Sequence, residues 1–374
     1  MRKSPLPSKP AVFSVVLLGA VIVVSALTYK PPRMVSASEE HNQGSGIGDE
    51  EGSSSSSEET GDGWVLSVEE GLTGHSDRLR VTLAKPGEPI EGVAIEGACD
   101  LRWKAAQGEA IEEAVCKDGG LLSPPAVGAW TLESPHSPKL STKTAVRRVT
   151  LGGKAEDPSE QSWRPVPGML DVLVLRPREE KERGMLNGYR VGTYRPRPRN
   201  FSNAYEPPPA FIEVTEETQD FPVSDHFRLG EFLTKDQEDV WPKYLVLDLR
   251  LIDLLELVLE ELRGKGHEAS GFFIMSGYRT PYYNGPGSGG RAAFSRHIFG
   301  DAADVWLDES GDGRMDDLTG DGRSSIKDAR VIAGAAEKLQ KRHPDLAGGI
   351  GVYGPRGSRG PFVHIDVRGE PASW

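Results

Sequence analysis

The chain has 374 residues, a formal net charge of −12, 44 glycines and 28 prolines. Its length allows two modest domains, its acidity argues against nucleic acid as a partner, and its glycine and proline content points to many turns. Eight of the acidic residues, with no Lys or Arg among them, lie between Ser38 and Asp62. The rest is therefore near −4, and net charge says little about a substrate.

The N-terminus, MRKSPLPSKP, is basic and is followed by the apolar run AVFSVVLLGAVIVVSAL at residues 11–27. These are the two regions of an export signal, and the run is just long enough to stay as an anchor. Residues 1–30 are therefore read as a signal peptide or signal anchor. Small residues at Val24-Ser25-Ala26 and Val35-Ser36-Ala37 would permit cleavage. The remainder is expected in the periplasm or outside the cell, attached to the inner membrane if the segment is kept. Residues 31–63, with SSSSSEETGDG, hold almost no apolar side chains and read as a disordered acidic linker.

From Trp64 the pattern changes. WVLSVEEGL, RLRVTLAKPG, GVAIEGACDLRW, GAWTLESP, AVRRVTLGG and MLDVLVLRP are short β-prone runs between turn residues. They predict an all-β, sandwich-like domain over residues 64–178. Cys99 and Cys116 lie 17 apart with no histidine beside them, so a disulfide is expected in an exported chain. His75 and His136 are isolated and read as surface residues. Binding of a cell-wall polymer, binding of a protein partner and a spacer role all remain open for this domain.

RPREEKERG at 176–184 reads as a connection, and LNGYRVGTYRPRPRNFSNAYEPPPAFIEV as two β-like segments around a proline-rich loop. PKYLVLDLRLIDLLELVLEELRGKG is the clearest helix. Leu251, Leu254, Leu255, Val258 and Leu262 recur at three- and four-residue spacing, and Gly264 and Gly266 end it. GFFIMSGYR then reads as a buried strand running into a turn.

A metal site is the sharpest possibility in FSRHIFGDAADVW, residues 294–306. A catalytic zinc needs about three protein ligands and an open position. His297 and Asp304 are suitable donors seven residues apart, with small residues Gly300 and Ala302 between them. His364, in the apolar run GPFVHIDVRG, would be a third, and Asp366 two residues on faces the same side of a strand. The alternative for a lone histidine in an apolar strand is a hydrogen-bonded core residue.

Wording narrows that choice. Ser295-x-His297-x-x-Gly300-x-Ala302-x-Asp304 resembles the S-x-H-x-x-G-x-A-x-D motif of the zinc D-Ala-D-Ala carboxypeptidases, whose fold is shared with VanX-type dipeptidases and the Hedgehog signalling domain. Ser276-Gly277-Tyr278-Arg279-Thr280-Pro281 resembles a second motif of that family, S-G-Y-R-[ST]. Residues 362–369 with Trp374 resemble the C-terminal H-[VI]-D segment of the YcbK-like branch, and HFRLGEF at 226–232 resembles the domain's start. The resemblance covers 185–374, and implies an α+β Hedgehog/DD-peptidase-type zinc domain there, behind the all-β domain.

The resemblance implies roles at matching positions. His297, Asp304 and His364 would ligate zinc. Arg279 would bind a substrate carboxylate or carbonyl oxygen and steady the oxyanion, or support the site through a salt bridge. Tyr278 and Ser295 would contact substrate, and Ser295 would orient a ligand. One departure matters: several relatives carry a Glu or Asp base three residues before the last histidine, where this chain has Pro361. Asp366 is the nearest replacement, either as base or only as an orienting group for a ligand imidazole.

The implied function is an exported zinc metallopeptidase cutting peptidoglycan stem or cross-link peptides, as a D-Ala-type carboxypeptidase or an endopeptidase. Two alternatives stand beside it. One is a non-catalytic zinc-fold module that binds murein or a protein partner, and the other is a zinc hydrolase with a non-peptide substrate.

DESGDGRMDDLTGDGRSSIKDA, residues 308–329, places oxygen donors at alternate positions with Gly at the sixth, as calcium loops do. The main loop would use Asp317, Thr319, Asp321, Arg323 (through its carbonyl), Ser325 and Asp328, and resembles the shortened loops of dockerin-like proteins. A weaker, overlapping copy would use Asp308, Ser310, Asp312 and Asp316. A solvated acidic turn is the bland alternative. A helix is expected next, over SIKDARVIAGAAEKLQKR.

Overall fold

The computed structural model describes residues 171–285 and 291–374 throughout, and separate segments between residues 55 and 165. The expected export segment, most of the linker, His75 and His136 lie outside the described residues. Among the described residues, no helix is long and apolar enough to cross a membrane.

All regular structure described before residue 178 is strand. One sheet runs in the order Ser55–Glu59, Trp64–Glu69, Arg148–Gly153, Lys139–Lys143, Val93–Glu96, with every pair antiparallel. A second runs Val81–Ala84, Asp171–Val174, Gly128–Ser134, Arg102–Ala105, Ile111–Glu113. Its inward residues include Leu101, Trp103, Trp130, Leu132, Val172 and Val174, which form one apolar cluster. The two buried indoles keep their N–H groups satisfied, Trp103 donating to the Leu122 carbonyl at 3.2 Å and Trp130 to that of Ala126 at 3.1 Å. Cys99 and Cys116 form a disulfide.

Strand Ser55–Glu59 falls inside the stretch read as linker. Its composition cannot build a core, but main-chain pairing with Trp64–Glu69 needs no apolar side chains. RPREEKERG likewise does more than connect. Arg176–Pro177 pairs with Ala210–Phe211, and Arg176 donates to Glu213 at 2.6 Å. Residues 52–374 form one compact unit, because Val81, Ala129 and Leu173 share an apolar core with Ile212, Val214 and the helices beyond.

Helix α1 (Leu249–Gly264) follows the expected stripe. Its N-cap Asp248 accepts from the Arg250 amide, and Leu251, Leu254, Leu255, Val258 and Leu262 are all buried. Helix α2 (Ile326–Arg342) opens on a capping box in which the Ser325 hydroxyl accepts from the Lys327 amide and Asp328 accepts from the Ser325 amide. The two helices pack on each other, and α2 also packs on the sheet that carries the site.

That sheet contains β1 (Phe272–Ser276), β2 (Ala302–Leu307), β3 (Gly349–Tyr353), β4 (Phe362–Asp366) and β5 (Ala372–Ser373), in the order β1-β2-β4-β3-β5. Only the β3–β5 pair is parallel. Alternation divides its two faces. Ala303, Val305 and Leu307 of β2 join Val363 and Ile365 of β4 in the core with the helices. Asp304, His364 and Asp366 therefore point to the other face.

Candidate metal centre

Two of the candidate ligands come from facing strands. Asp304 on β2 and His364 on β4 are directly opposed in register, so their side chains stand side by side. The third comes from the 3-10 helix Arg296–Phe299. Gly300 turns the chain from that helix into β2 with φ +75°, and a Cβ there would lie 2.2 Å from the Val246 carbonyl oxygen. Only glycine meets both demands. Below the turn, Arg296 and Asp301 form a buried ion pair, and Arg296 also donates to the Ala204 carbonyl at 2.9 Å. The Asp301 and Gly300 carbonyls accept from Val367 and Asp248, which ties the turn to β4 and to α1.

His297, Asp304 and His364 are buried, with donor atoms all within 4.8 Å of one another. Among the described residues this is the only such group of three His, Cys, Asp or Glu donors. His297 Nδ1 lies 2.7 Å from the Gly277 carbonyl oxygen, which can only accept, so Nδ1 carries the proton. Its Nε2 lone pair then faces Asp304 Oδ1 at 3.2 Å. On the other side, His364 Nε2 lies 3.1 Å from Asp366 Oδ2 and donates to it. His364 Nδ1 then faces the same Asp304 oxygen at 2.9 Å. Three ligand-type atoms thus converge on one Asp304 oxygen, and positive charge between them, either a proton on His364 Nδ1 or a cation, balances the carboxylate. Two imidazoles and one carboxylate are a common zinc donor set.

Electrostatics agree. Burial lowers the His297 pKa, which keeps that imidazole neutral and fit to ligate. Burial also opposes charge on His364, but hydrogen bonds to Asp304 and Asp366 outweigh it and hold the pKa up at about 9. The surroundings of His364 thus favour positive charge, from a proton or from a metal. Burial would raise Asp304, yet the two histidines hold it well below the usual carboxylate range.

Arg279 donates to Ser276 Oγ at 2.8 Å and to Asp304 Oδ2 at 2.7 Å while lining the same cleft. Ser276 itself opposes Asp304 across a bulge in β1. The arginine is therefore both a wall of the cleft and a brace for a ligand, so the two readings of it are compatible.

Asp366 differs from the base considered above. It is fully buried, does not line the cleft, and accepts from the Gly349 amide at 2.8 Å and from Arg368 Nε at 2.8 Å as well as from His364. Burial alone would raise its pKa, but Arg368 and His364 hold it below the usual range. A base needs a reachable lone pair of matched basicity, and Asp366 has neither. It is placed to orient His364. The Tyr278 side chain is also committed elsewhere. It is buried, with its hydroxyl 2.8 Å from that of Tyr194, although the residue contributes to the lining of the cleft. Ser295 lines the cleft and precedes the 3-10 helix, but its side chain does not cap it.

Several supporting groups escape sequence reasoning: the Gly277 carbonyl, the Arg296–Asp301 pair and Arg368. Only Arg368 left a signal, since D-x-R on a strand puts Asp366 and Arg368 on one face.

The two acidic loops lie between β2 and α2. Asp317 accepts from the Gly320, Asp321 and Gly322 amides, and Asp308 from those of Asp312 and Gly313. Gly313 and Gly322, the sixth positions, have φ +78° and +80°. Thr319 and Ser325 both bond Asp328, while Ser310 bonds Asp308. Asp316 accepts from the Glu309 amide, and Arg323 is exposed. Asp321 is paired with Lys327 at 2.8 Å. Both stretches thus take a loop form around their first aspartate, and buried Met315 pins the junction between them into the core. Their carboxylates do not gather as the three zinc-type donors do.

Comparison of the chain with known protein families, with curated proteins and with solved structures finds no match.

Proposed function

We propose that residues 185–374 form an exported zinc-dependent hydrolase that cuts peptide bonds of peptidoglycan stem or cross-link peptides, with D-Ala or a similar centre at the cleaved bond. The observation that carries this reading is the convergence of His297, His364 and Asp304, whose donor atoms lie within 4.8 Å of one another, in the wall of an open cleft of about 1060 Å³. The motif around them supports the peptide class of substrate, and the N-terminal segment supports the location.

Zinc held there supplies Lewis acidity to a carbonyl oxygen and to water. The chain's own residues do the rest. Gly277 and Asp366 keep the two imidazoles in the ligating tautomer and orientation. Asp304 contributes charge, and Arg279 fixes that carboxylate while offsetting negative charge that develops on a substrate oxygen beside it.

A second reading, a binding module without turnover, is favoured by one observation. Apart from the ligand Asp304, no carboxylate lines the cleft among the described residues, so a carboxylate base is missing. Both readings are separated by one experiment. The zinc-loaded protein is incubated with purified murein and released fragments are followed by mass spectrometry, beside His297→Ala. About one zinc per chain and fragments that vanish in the variant are expected. Zinc without fragments moves the assignment to the binding module, and a wild type that holds no zinc overturns both.

A further inference from the structure

The protein is acidic overall at −12, yet the cleft beside the metal centre is cationic. Three of its cations are paired with acids: Arg279 with Asp304, Arg296 with Asp301 and Arg368 with Asp366. Arg291, Arg356 and Arg359 are not bonded to any carboxylate among the described residues, and they line the cleft all the same.

Their placement is built rather than incidental. Arg291 stacks over the Tyr283 ring at 4.2 Å and donates to the Tyr283 carbonyl at 3.0 Å. Arg359 stacks over Phe362 at 4.6 Å, and Phe362 in turn lies flat against Tyr353, with ring centroids 4.5 Å apart. Stacking fixes a guanidinium plane while leaving its N–H edge free for an oxyanion. Arg356 and Arg359 sit on the turn between β3 and β4 and exchange both backbone hydrogen bonds, at 2.9 and 3.2 Å. Residues paired in this way project their side chains to the same side, where like charges repel. Among the described residues no carboxylate is bonded to either arginine to relieve that repulsion, and a bound anion would do so.

We propose that Arg291, Arg356 and Arg359 form an anion subsite that selects peptides carrying free carboxylates away from the cleaved bond. The subsite rests on the reading of this cleft as a peptide site, and it adds the class of peptide taken. An extended substrate placed against His297 and His364 runs along the β3–β4 turn, and its carboxylates meet the guanidiniums edge-on. Arg279 has no part in this, since Asp304 and Ser276 hold it at the metal centre.

The test is calorimetric binding to the full chain, both zinc-loaded and zinc-stripped, the stripped protein being unable to turn the probe over. The probes are a D-Ala-terminated peptide with two further free carboxylates and the same peptide with those two groups amidated. The carboxylate form is expected to bind about tenfold more tightly, the order of a few partly exposed ion pairs, and to lose that margin in high salt. Arg356→Gln/Arg359→Gln and, separately, Arg291→Gln are expected to shrink the margin while zinc content stays unchanged. Equal affinity for the two peptides, a margin that survives all three substitutions, or binding of inorganic phosphate with no preference between the peptides overturns the proposal. A protein that prefers the carboxylate peptide but releases no murein fragments keeps the subsite and loses the hydrolase, so the two failures read differently.

Discussion

At the scale of single residues, Asp366 is the group whose role most changes what the site can do. It lies two residues after a ligand and on the same side of β4, which is why the sequence alone leaves it open as a base. In the folded chain it is surrounded by donors: the Gly349 amide, the Arg368 guanidinium and the His364 ring. Asp366→Asn keeps the shape but removes the charge that holds the proton on His364 Nε2. Zinc affinity should fall about 10- to 100-fold, as for other outer partners of metal ligands, measured by competition with a chromogenic chelator. Stability should fall by about 1–3 kcal/mol because Arg368 loses its counter-charge. A variant that binds zinc like the wild type but loses turnover would return Asp366 to the role of base. Glycine sets a different limit. Gly351 packs so closely under Trp374 that a Cβ would come within 2.5 Å of the indole nitrogen, which fixes where the indole closes the cleft beside His364, its ring centre 5.3 Å from the imidazole.

At the scale of elements, what the sequence shows depends on how far the signal spreads. Helix α1 is legible because a 3.6-residue period repeats over four turns, and its buried leucines are the expected ones. The clustering of His297, Asp304 and His364 is legible because few residue types suit a metal, and two of the three sit in one short motif. Tyr278 is not legible, since a motif tells which residues co-occur but not which way a side chain points, and this one turns inward to Tyr194. The cationic cleft is not legible either. Its arginines are spread from 279 to 368 and meet only when the chain folds. The strand Ser55–Glu59 is hidden for a further reason: backbone pairing leaves no trace in composition.

The acidic loops stand between these cases. Their glycine spacing is legible, and the sixth positions take the left-handed backbone that spacing requires. Whether calcium enters is a matter of a few ångströms of carboxylate movement. Asp321 leans on Lys327 and Asp328 serves the cap of α2. Calcium at about ten times its dissociation constant should stabilise the protein by about 1.4 kcal/mol, since only the folded loop binds it. A rise of Tm with millimolar calcium that Asp317→Ala abolishes would establish the site. An unchanged Tm would leave the loops as turns held by their own amides. Through the Met315 anchor and the cap of α2, either outcome bears on the helix behind β3 and β4, and so on the floor of the metal centre.

At the scale of the whole molecule, the boundary near residue 180 is the telling feature. Composition suggests a β domain, a charged connection and a separate site-bearing domain. The chain instead runs from Asp171–Val174 into a strand that pairs with Ala210–Phe211, and Val81, Ala129 and Leu173 take their place in the same apolar core as α1 and α2. Gln107 reaches across to Glu217 at 3.0 Å. A cut at residue 185 removes Arg176–Pro177, one of the two strands paired with Ala210–Val214, and takes Val81, Ala129 and Leu173 out of the core, which opens that part of it to water. Burial of a large apolar side chain is worth about 1.5–3 kcal/mol, so losing even three such contacts is comparable with the whole stability of an ordinary domain, about 5–15 kcal/mol. Residues 185–374 alone should therefore melt well below residues 52–374, or fail to fold. The longer chain should unfold as one unit, with calorimetric and van't Hoff enthalpies in agreement. Two separate transitions, the second at the temperature of the isolated fragment, would mean instead that the β-rich half is a detachable module. In the single-transition case, substitutions in the distant β strands reach His297 and His364 through the shared core, and zinc retention during a urea titration should be lost together with the β-sheet signal.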